Sequence, residues 1–237
     1  MMESAFASTR YQQSRQSLET YFDKTARKAW EDLTSDVPVS GIRATVRAGR
    51  DAMREVLLSQ LPGGMRGRRL LDAGCGTGAL AIAVAERGAD VVAIDVSQGL
   101  VDVARARAPK GLAIDWQVGD MRSHNLGLFD HVIAMDSLIH YAEDDIIGVL
   151  KAWSHRTGHI VFTFAPATPL LRIMHLVGKA FPRSERSPAI RPISEARLSR
   201  AIAAALPGWR IDFTQRISSG FYKSQAMAIS RTNEVNG

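Results

Sequence analysis

The chain has 237 residues, 46% hydrophobic and 23% charged, enough for a full apolar core in one α/β domain with a modest appendage. A net charge of +6 is only mildly basic, and with no continuous basic arm, zinc-finger spacing or aromatic RNA-binding signature it argues against nucleic acid as a partner. The single cysteine, Cys75, excludes an internal disulfide framework, and no apolar run reaches the roughly 18 to 20 residues that cross a bilayer, so a reducing, cytoplasmic setting is expected.

From about Thr9 to Leu33, Tyr11, Leu18, Phe22, Ala26, Trp30 and Leu33 mostly recur at helical multiples and predict an amphipathic arm. Asp36, Pro38 and Gly41 break that pattern. A second helix is predicted from Ile42 to Leu61, burying Val46, Met53, Val56, Leu57 and Leu61. From Arg68 the texture alternates: a strand at Leu70-Leu71, a glycine turn, an alanine-rich helix stopped by Gly88, and a strand from Asp90 to Val96. Ser97 can cap the following helix, which runs to about Ala108. Three more strands are predicted at Ala113 to Val118, Phe129 to Met135 and His159 to Ala165. A helix from Ser194 to Leu206 then precedes strands Trp209 to Ile217 and Phe221 to Ser230, close enough to pair as an antiparallel hairpin. The order implies a parallel sheet finished by that hairpin.

The turn Asp72-Ala73-Gly74-Cys75-Gly76-Thr77-Gly78 follows an apolar strand and opens a helix, where main-chain N–H groups can meet a ligand closely. Gly74, Gly76 and Ala79 also satisfy a dinucleotide pattern, so the turn alone does not choose a cofactor. Asp72 is placed to face a ligand's ammonium, which a pyrophosphate site would not favour. Asp95, with Val96 after it, ends the second strand where a carboxylate can accept ribose hydroxyls. Asp120 and Met121 close the third strand beside an expected adenine.

On the acceptor side, the fourth strand continues through Asp136 into Ser137-Leu138-Ile139-His140-Tyr141, at the carboxyl end where open α/β sheets bind ligands. After the fifth strand, a helix begun by Thr168 and Pro169 carries Leu170, Ile173, Met174, Val177 and Phe181 on one face, with Arg172, His175 and Lys179 on another. That combination suits a large apolar substrate bearing carboxylates, and membrane-surface contact is a second reading of it.

With Asp72 to Gly78, Asp95 and Asp120 in these positions, residues 68–231 resemble the Class I S-adenosylmethionine methyltransferases. The resemblance implies a doubly wound, Rossmann-like α/β sheet with a C-terminal antiparallel hairpin and an N-terminal helical arm. It implies a cofactor site of Asp72, Gly74, Cys75, Gly76, Gly78, Asp95, Val96, Asp120, Met121 and Asp136, with S-adenosyl-L-methionine as cofactor and S-adenosyl-L-homocysteine as product. Further stretches are similar to one subfamily, the magnesium-protoporphyrin IX O-methyltransferases: Tyr21-Phe22 with Trp30, Gly41 through Gly49, Met135 through Tyr141, Phe162 through Pro166, and Gly178 through Arg183. This implies methyl transfer to a propionate of magnesium protoporphyrin IX, giving the monomethyl ester of chlorophyll and bacteriochlorophyll biosynthesis. His140 and Tyr141 are then the catalytic candidates, and Tyr21, Arg172, His175 and Lys179 the substrate-binding ones.

No protein-bound metal is expected. Residues 1–41 are expected to form an arm that works as a lid, 42–237 the methyltransferase domain, and 167–192 a substrate-side insertion. The family suggests the porphyrin-binding subunit of magnesium chelatase as a partner and peripheral contact at the photosynthetic membrane. The alternatives are an O-methyltransferase for another apolar acid or quinone precursor, a non-catalytic S-adenosylmethionine-binding or porphyrin-carrying module, and a nicotinamide oxidoreductase.

Overall fold

The computed structural model describes residues 2–23, 34, 41–167 and 190–232. Two helices, α1 (Met2–Tyr21) and α2 (Ile42–Ser59), precede β1 (Arg69–Ala73), α3 (Ala79–Glu86), β2 (Asp90–Asp95), α4 (Gln98–Arg107) and β3 (Ile114–Val118). The chain continues through β4 (His131–Ala134), α5 (Glu143–Ser154), β5 (His159–Phe164), α6 (Glu195–Ala205), β6 (Trp209–Ser219) and β7 (Tyr222–Arg231). The strands form one sheet in the order β3-β2-β1-β4-β5-β7-β6. The pairs from β3 to β5 are parallel, and β7 runs antiparallel to both β5 and β6. Sequence order reverses between β1 and β4, which opens a crevice at their carboxyl ends.

Both faces of the sheet are covered, and successive strand residues divide between two cores. Leu71, Val92 and Val132 join Tyr11 of α1, Trp153 of α5 and Leu198 of α6. Their neighbours Leu70, Val91 and Ile133 join Met53 and Leu57 of α2, Leu80 of α3 and Val101 of α4. This is the doubly wound α/β sheet with antiparallel hairpin that the sequence led us to expect.

Local chemistry sets several boundaries. Gly88, with φ of 94°, ends α3 by donating its N–H to Ala85 O, and Ser97 Oγ caps α4 by accepting from Leu100 N. Several elements differ from the sequence reading at their ends or in their presence, and three show why. The arm helix begins seven residues before Thr9, because no glycine or proline interrupts Met2–Tyr21, and α2 ends at Ser59, where Gln60 N turns back tightly to Leu57 O. The third is α5, not placed from sequence, although its Ile146, Val149, Leu150 and Trp153 are all buried at helical spacing. Ala26, Trp30 and Leu33 of the expected arm, and the helix carrying Arg172, His175 and Lys179, lie outside the described residues.

Candidate active site

A cavity of about 760 Å³ opens at the carboxyl ends of the strands. Asp72, Gly74, Cys75 and Gly76 of the glycine turn line it, as do Asp95 and Val96 at the end of β2. So do Met121, Asp136, His140 and Tyr141, and Tyr21 from the arm.

The turn is held by its own backbone. Gly74 and Cys75 donate N–H groups to Ile94 O at 2.8 and 3.0 Å, and Gly76 donates to Asp95 Oδ2 at 2.9 Å. Gly74 has φ of 83°, and a Cβ there would stand 2.3 Å from Ser137 Cβ, so both conformation and space require glycine. Gly76 also has positive φ, yet a Cβ there would meet no atom within 4 Å. Its α-carbon leaves open space where a ligand can come close.

Asp72 is 1% exposed, and its Oδ2 has no hydrogen-bond partner among the described residues. Burial, together with the charge of Asp95, pushes its carboxyl up to about 7. A buried, unpaired carboxylate oxygen on a cavity wall suits a cationic ligand group. Asp95 also sits above the usual carboxylate range through burial, although N–H groups from Ser97 and Gly76 pull it back. The residues present therefore fit a cofactor carrying an ammonium and a ribose.

Two expected cofactor residues are not on the cavity wall. Gly78 is the N-cap of α3, and a Cβ there would lie 2.6 Å from the Trp116 ring, so this glycine serves helix packing. Asp120 Oδ1 accepts from Tyr11 Oη at 2.7 Å and from Arg122 N at 2.8 Å. Asp136 lines the cavity, but its carboxylate accepts from Arg50 at 2.7 Å and from Tyr222 Oη and Ser224 Oγ, each at 3.0 Å. Its left-handed backbone, φ 55°, is steadied by an N–H bond to Thr163 Oγ1. Asp136 thus anchors α2 and β7 to the crevice.

The arm is bound at two points along its described length. Arg10 pairs with Asp144 and Asp145 of α5, and Asp23 accepts from Ser97 Oγ and Gly99 N at the start of α4. Between them Tyr11 stacks on Tyr141, ring centroids 5.0 Å apart, with the Arg122 guanidinium over the other side of Tyr11. Burial raises both tyrosine hydroxyls well above their ordinary value, so Tyr141 stays a neutral phenol. His140 stands edge-on to Phe22 at 6.5 Å.

Sequence reasoning passed over Tyr11 as a polar group and Arg47, Arg50, Phe221 and Lys223 as cavity residues. The one available signal was Arg43, Arg47, Arg50 and Arg54 at helical spacing on α2. Among the described residues no group of three or more His, Cys, Asp or Glu is placed to hold a metal, and no helix is long and apolar enough to cross a membrane.

Residues 134–231 match the family model "Magnesium-protoporphyrin IX methyltransferase C-terminus", and residues 70–157 match a general methyltransferase domain. The chain is 47% identical to the magnesium-protoporphyrin O-methyltransferase of Rhodobacter capsulatus, over 92% of this chain and 96% of that protein. It is 28% identical to the Synechocystis protein of the same name, over 90% and 94% of the two chains. The crystal structure of magnesium protoporphyrin IX methyltransferase from Synechocystis with bound SAH superposes with a TM-score of 0.76 at 26% identity, covering 90% of this chain and 98% of that one.

Proposed function

Because this chain belongs to the magnesium-protoporphyrin O-methyltransferase family, we propose that it methylates one propionate of magnesium protoporphyrin IX. The products are the monomethyl ester and S-adenosylhomocysteine, in chlorophyll and bacteriochlorophyll biosynthesis. The observation that carries this reading is that one cavity joins the unpaired carboxylate oxygen of Asp72 and the open side of Gly76 to His140 and Tyr141.

S-adenosylmethionine supplies the methyl group as a sulfonium. Asp72 meets its ammonium, Asp95 its ribose hydroxyls, and the N–H-rich turn from Gly74 to Gly76 its methionine end. Met121 faces the adenine, with Asp120 holding Tyr11 beside it. A propionic acid, with a solution pKa near the roughly 4.3 of a Glu side chain, is already ionised at pH 7, so the barrier lies in aim and desolvation. A carboxylate oxygen attacks the methyl carbon, the carbon–sulfur bond breaks, and its electron pair stays on sulfur, so no proton moves. His140 orients the attacking carboxylate through a ring N–H, Tyr141 supports the arm through Tyr11, and Tyr21 lies on the acceptor side. Arg172, His175 and Lys179, with the flanking Arg183, Arg186 and Arg191, form a basic stretch assigned to a porphyrin propionate, to the porphyrin-binding subunit of magnesium chelatase or to an anionic membrane surface.

The test is turnover with labelled S-adenosylmethionine across a panel of porphyrins, apolar acids and quinone precursors. Ester should form on magnesium protoporphyrin IX, and turnover confined to another acceptor refutes this substrate. Sedimentation with anionic liposomes, lost in Arg172→Gln/Lys179→Gln, checks the membrane contact.

A further inference from the structure

Two close approaches press the first turns of α2 along the tip of the β6–β7 hairpin. A Cβ at Gly49 would lie 2.5 Å from Tyr222 Cδ1, and one at Gly220, where φ is 51°, would lie 2.5 Å from Thr45 Oγ1. Thr45 and Gly49 stand one turn apart on the same helix face. Phe221, between Gly220 and Tyr222 in the chain, is therefore held beside the adjoining face, whose Val46, Arg47 and Arg50 line the cavity.

Phe221 is 47% exposed, a large aromatic surface left where the cavity meets solvent, and Lys223 from the same hairpin lines the cavity too. Its ammonium donates to the neutral Ser218 Oγ beside the hairpin tip, which leaves its charge without a carboxylate there among the described residues. Arg50 and Arg47 differ in position along α2. Arg50 is tied to Asp136, next in sequence to the Ser137 that packs against Gly74, which sets it toward the glycine turn. Arg47 lies one turn nearer the hairpin tip.

We propose that Phe221, Arg47 and Lys223 form the acceptor's docking shelf, with the aromatic ring against the macrocycle and the two cations on the propionate that is not methylated. This rests on the function proposed above. A porphyrin with two propionates brings two carboxylates at pH 7. The reacting one must approach the methyl group with its lone pairs free of water and of a clamping cation, whereas the other must leave bulk water and needs a counter-charge. Cations at the hairpin tip, away from the glycine turn, serve the second carboxylate. The same device limits the reaction to one ester. A monoester turned round to present its remaining carboxylate would set a neutral ester against Arg47 and Lys223.

The cofactor's own α-carboxylate offers the same chemistry, so the experiment reads the two sources separately. With the full chain, kcat/KM for magnesium protoporphyrin IX is compared with that for its monomethyl ester. Porphyrin affinity is taken from the Soret band, and S-adenosylhomocysteine affinity from calorimetry. Wild type should prefer the diacid by roughly ten- to a hundredfold, and Arg47→Gln/Lys223→Gln should remove most of that preference through KM. S-adenosylhomocysteine should bind that variant as it binds wild type. Phe221→Ala should weaken both porphyrins alike, by about tenfold.

A preference that survives the double variant overturns the proposal, as does a cofactor affinity that falls in step with it, which would assign the cations to the cofactor. Unchanged Soret affinity in Phe221→Ala takes the ring out of the shelf. Should wild type bind the diacid in an Arg47-dependent way yet form no ester, the shelf stands and the methyl-transfer reading fails.

Discussion

The Tyr11 hydroxyl donates a 2.7 Å hydrogen bond to Asp120 Oδ1, joining the arm to the loop after β3 across 109 residues of sequence. Tyr11 is 1% exposed, so removing its hydroxyl withdraws a charge-assisted bond at a buried junction. Tyr11→Phe should cost about 1.5 to 3 kcal/mol of stability and loosen the arm. Hydrogen exchange should show α1 protected in the wild type without cofactor, and protected in Tyr11→Phe only when S-adenosylhomocysteine is present. Equal protection in both proteins would mean that Arg10 and Asp23 suffice to hold the arm.

Asp72 should register cofactor binding as a proton. With its carboxyl at about 7 before a cation arrives, about half the molecules carry that proton at pH 7, and a ligand ammonium drives it off. Calorimetry in buffers of different ionisation enthalpy should find roughly half a proton released per S-adenosylhomocysteine bound at pH 7, declining above pH 8. No buffer dependence would remove Asp72 from contact with the ammonium.

The same residue should trade stability for binding. A carboxyl raised in the folded state above its unfolded value of about 3.9 makes the native protein hold protons that the unfolded chain has lost. Stability is thus eroded as pH climbs from about 4 to 7, and the full penalty is present above 7. Asp72→Asn should stabilise the cofactor-free protein at pH 8 by about 1 to 3 kcal/mol, leave it little changed near pH 4, and weaken cofactor binding about ten- to a hundredfold. Urea unfolding at the two pH values reads the first effect and calorimetry the second. A variant less stable at pH 8 contradicts this account of the buried charge.

At the other end of the sheet, His131 and His159 bring their Nδ1 atoms to 3.0 Å, which requires one ring to donate and the other to accept. Burial, and for His131 also the neighbouring His159, lowers both, His131 to about 4. A depressed histidine contributes its stability above the unfolded value near 6.5, and that contribution is lost as pH falls toward 4. The wild-type Tm should therefore drop between pH 7 and 5, and the drop should be smaller in His131→Asn. An identical pH dependence in the variant assigns acid sensitivity to other groups.

His140 is expected to orient rather than to remove a proton. His140→Ala should lower kcat about ten- to a hundredfold, and His140→Gln, which keeps a donor, should retain more activity. The wild-type rate should be nearly flat above pH 6. Equal losses in both variants, with a rate that falls steeply below pH 7, would make His140 a general base.

What could be read from sequence was whatever depends on a short stretch of chain. Alternating apolar runs, Gly88 and Ser97 as helix punctuation, and three closely spaced glycines after Leu70-Leu71 each act within a few residues, so the succession of strands along the chain and the glycine turn from Asp72 to Gly78 were legible. The arm's apolar face was legible for the same reason in Tyr11 and Leu18, at 1% and 5% exposure. Charge partnership was not. Asp136 looks from sequence like a ligand for the cofactor, but its carboxylate is taken by Arg50 across 86 residues and by Tyr222 and Ser224 of β7. Those partners meet because β7 inserts beside β5 and because Gly49 lets α2 lie against Tyr222. Asp120 likewise looks free until α1 delivers Tyr11. A carboxylate's role is set by which donors reach it, and donors far apart in the chain are brought to it only by sheet order and helix docking.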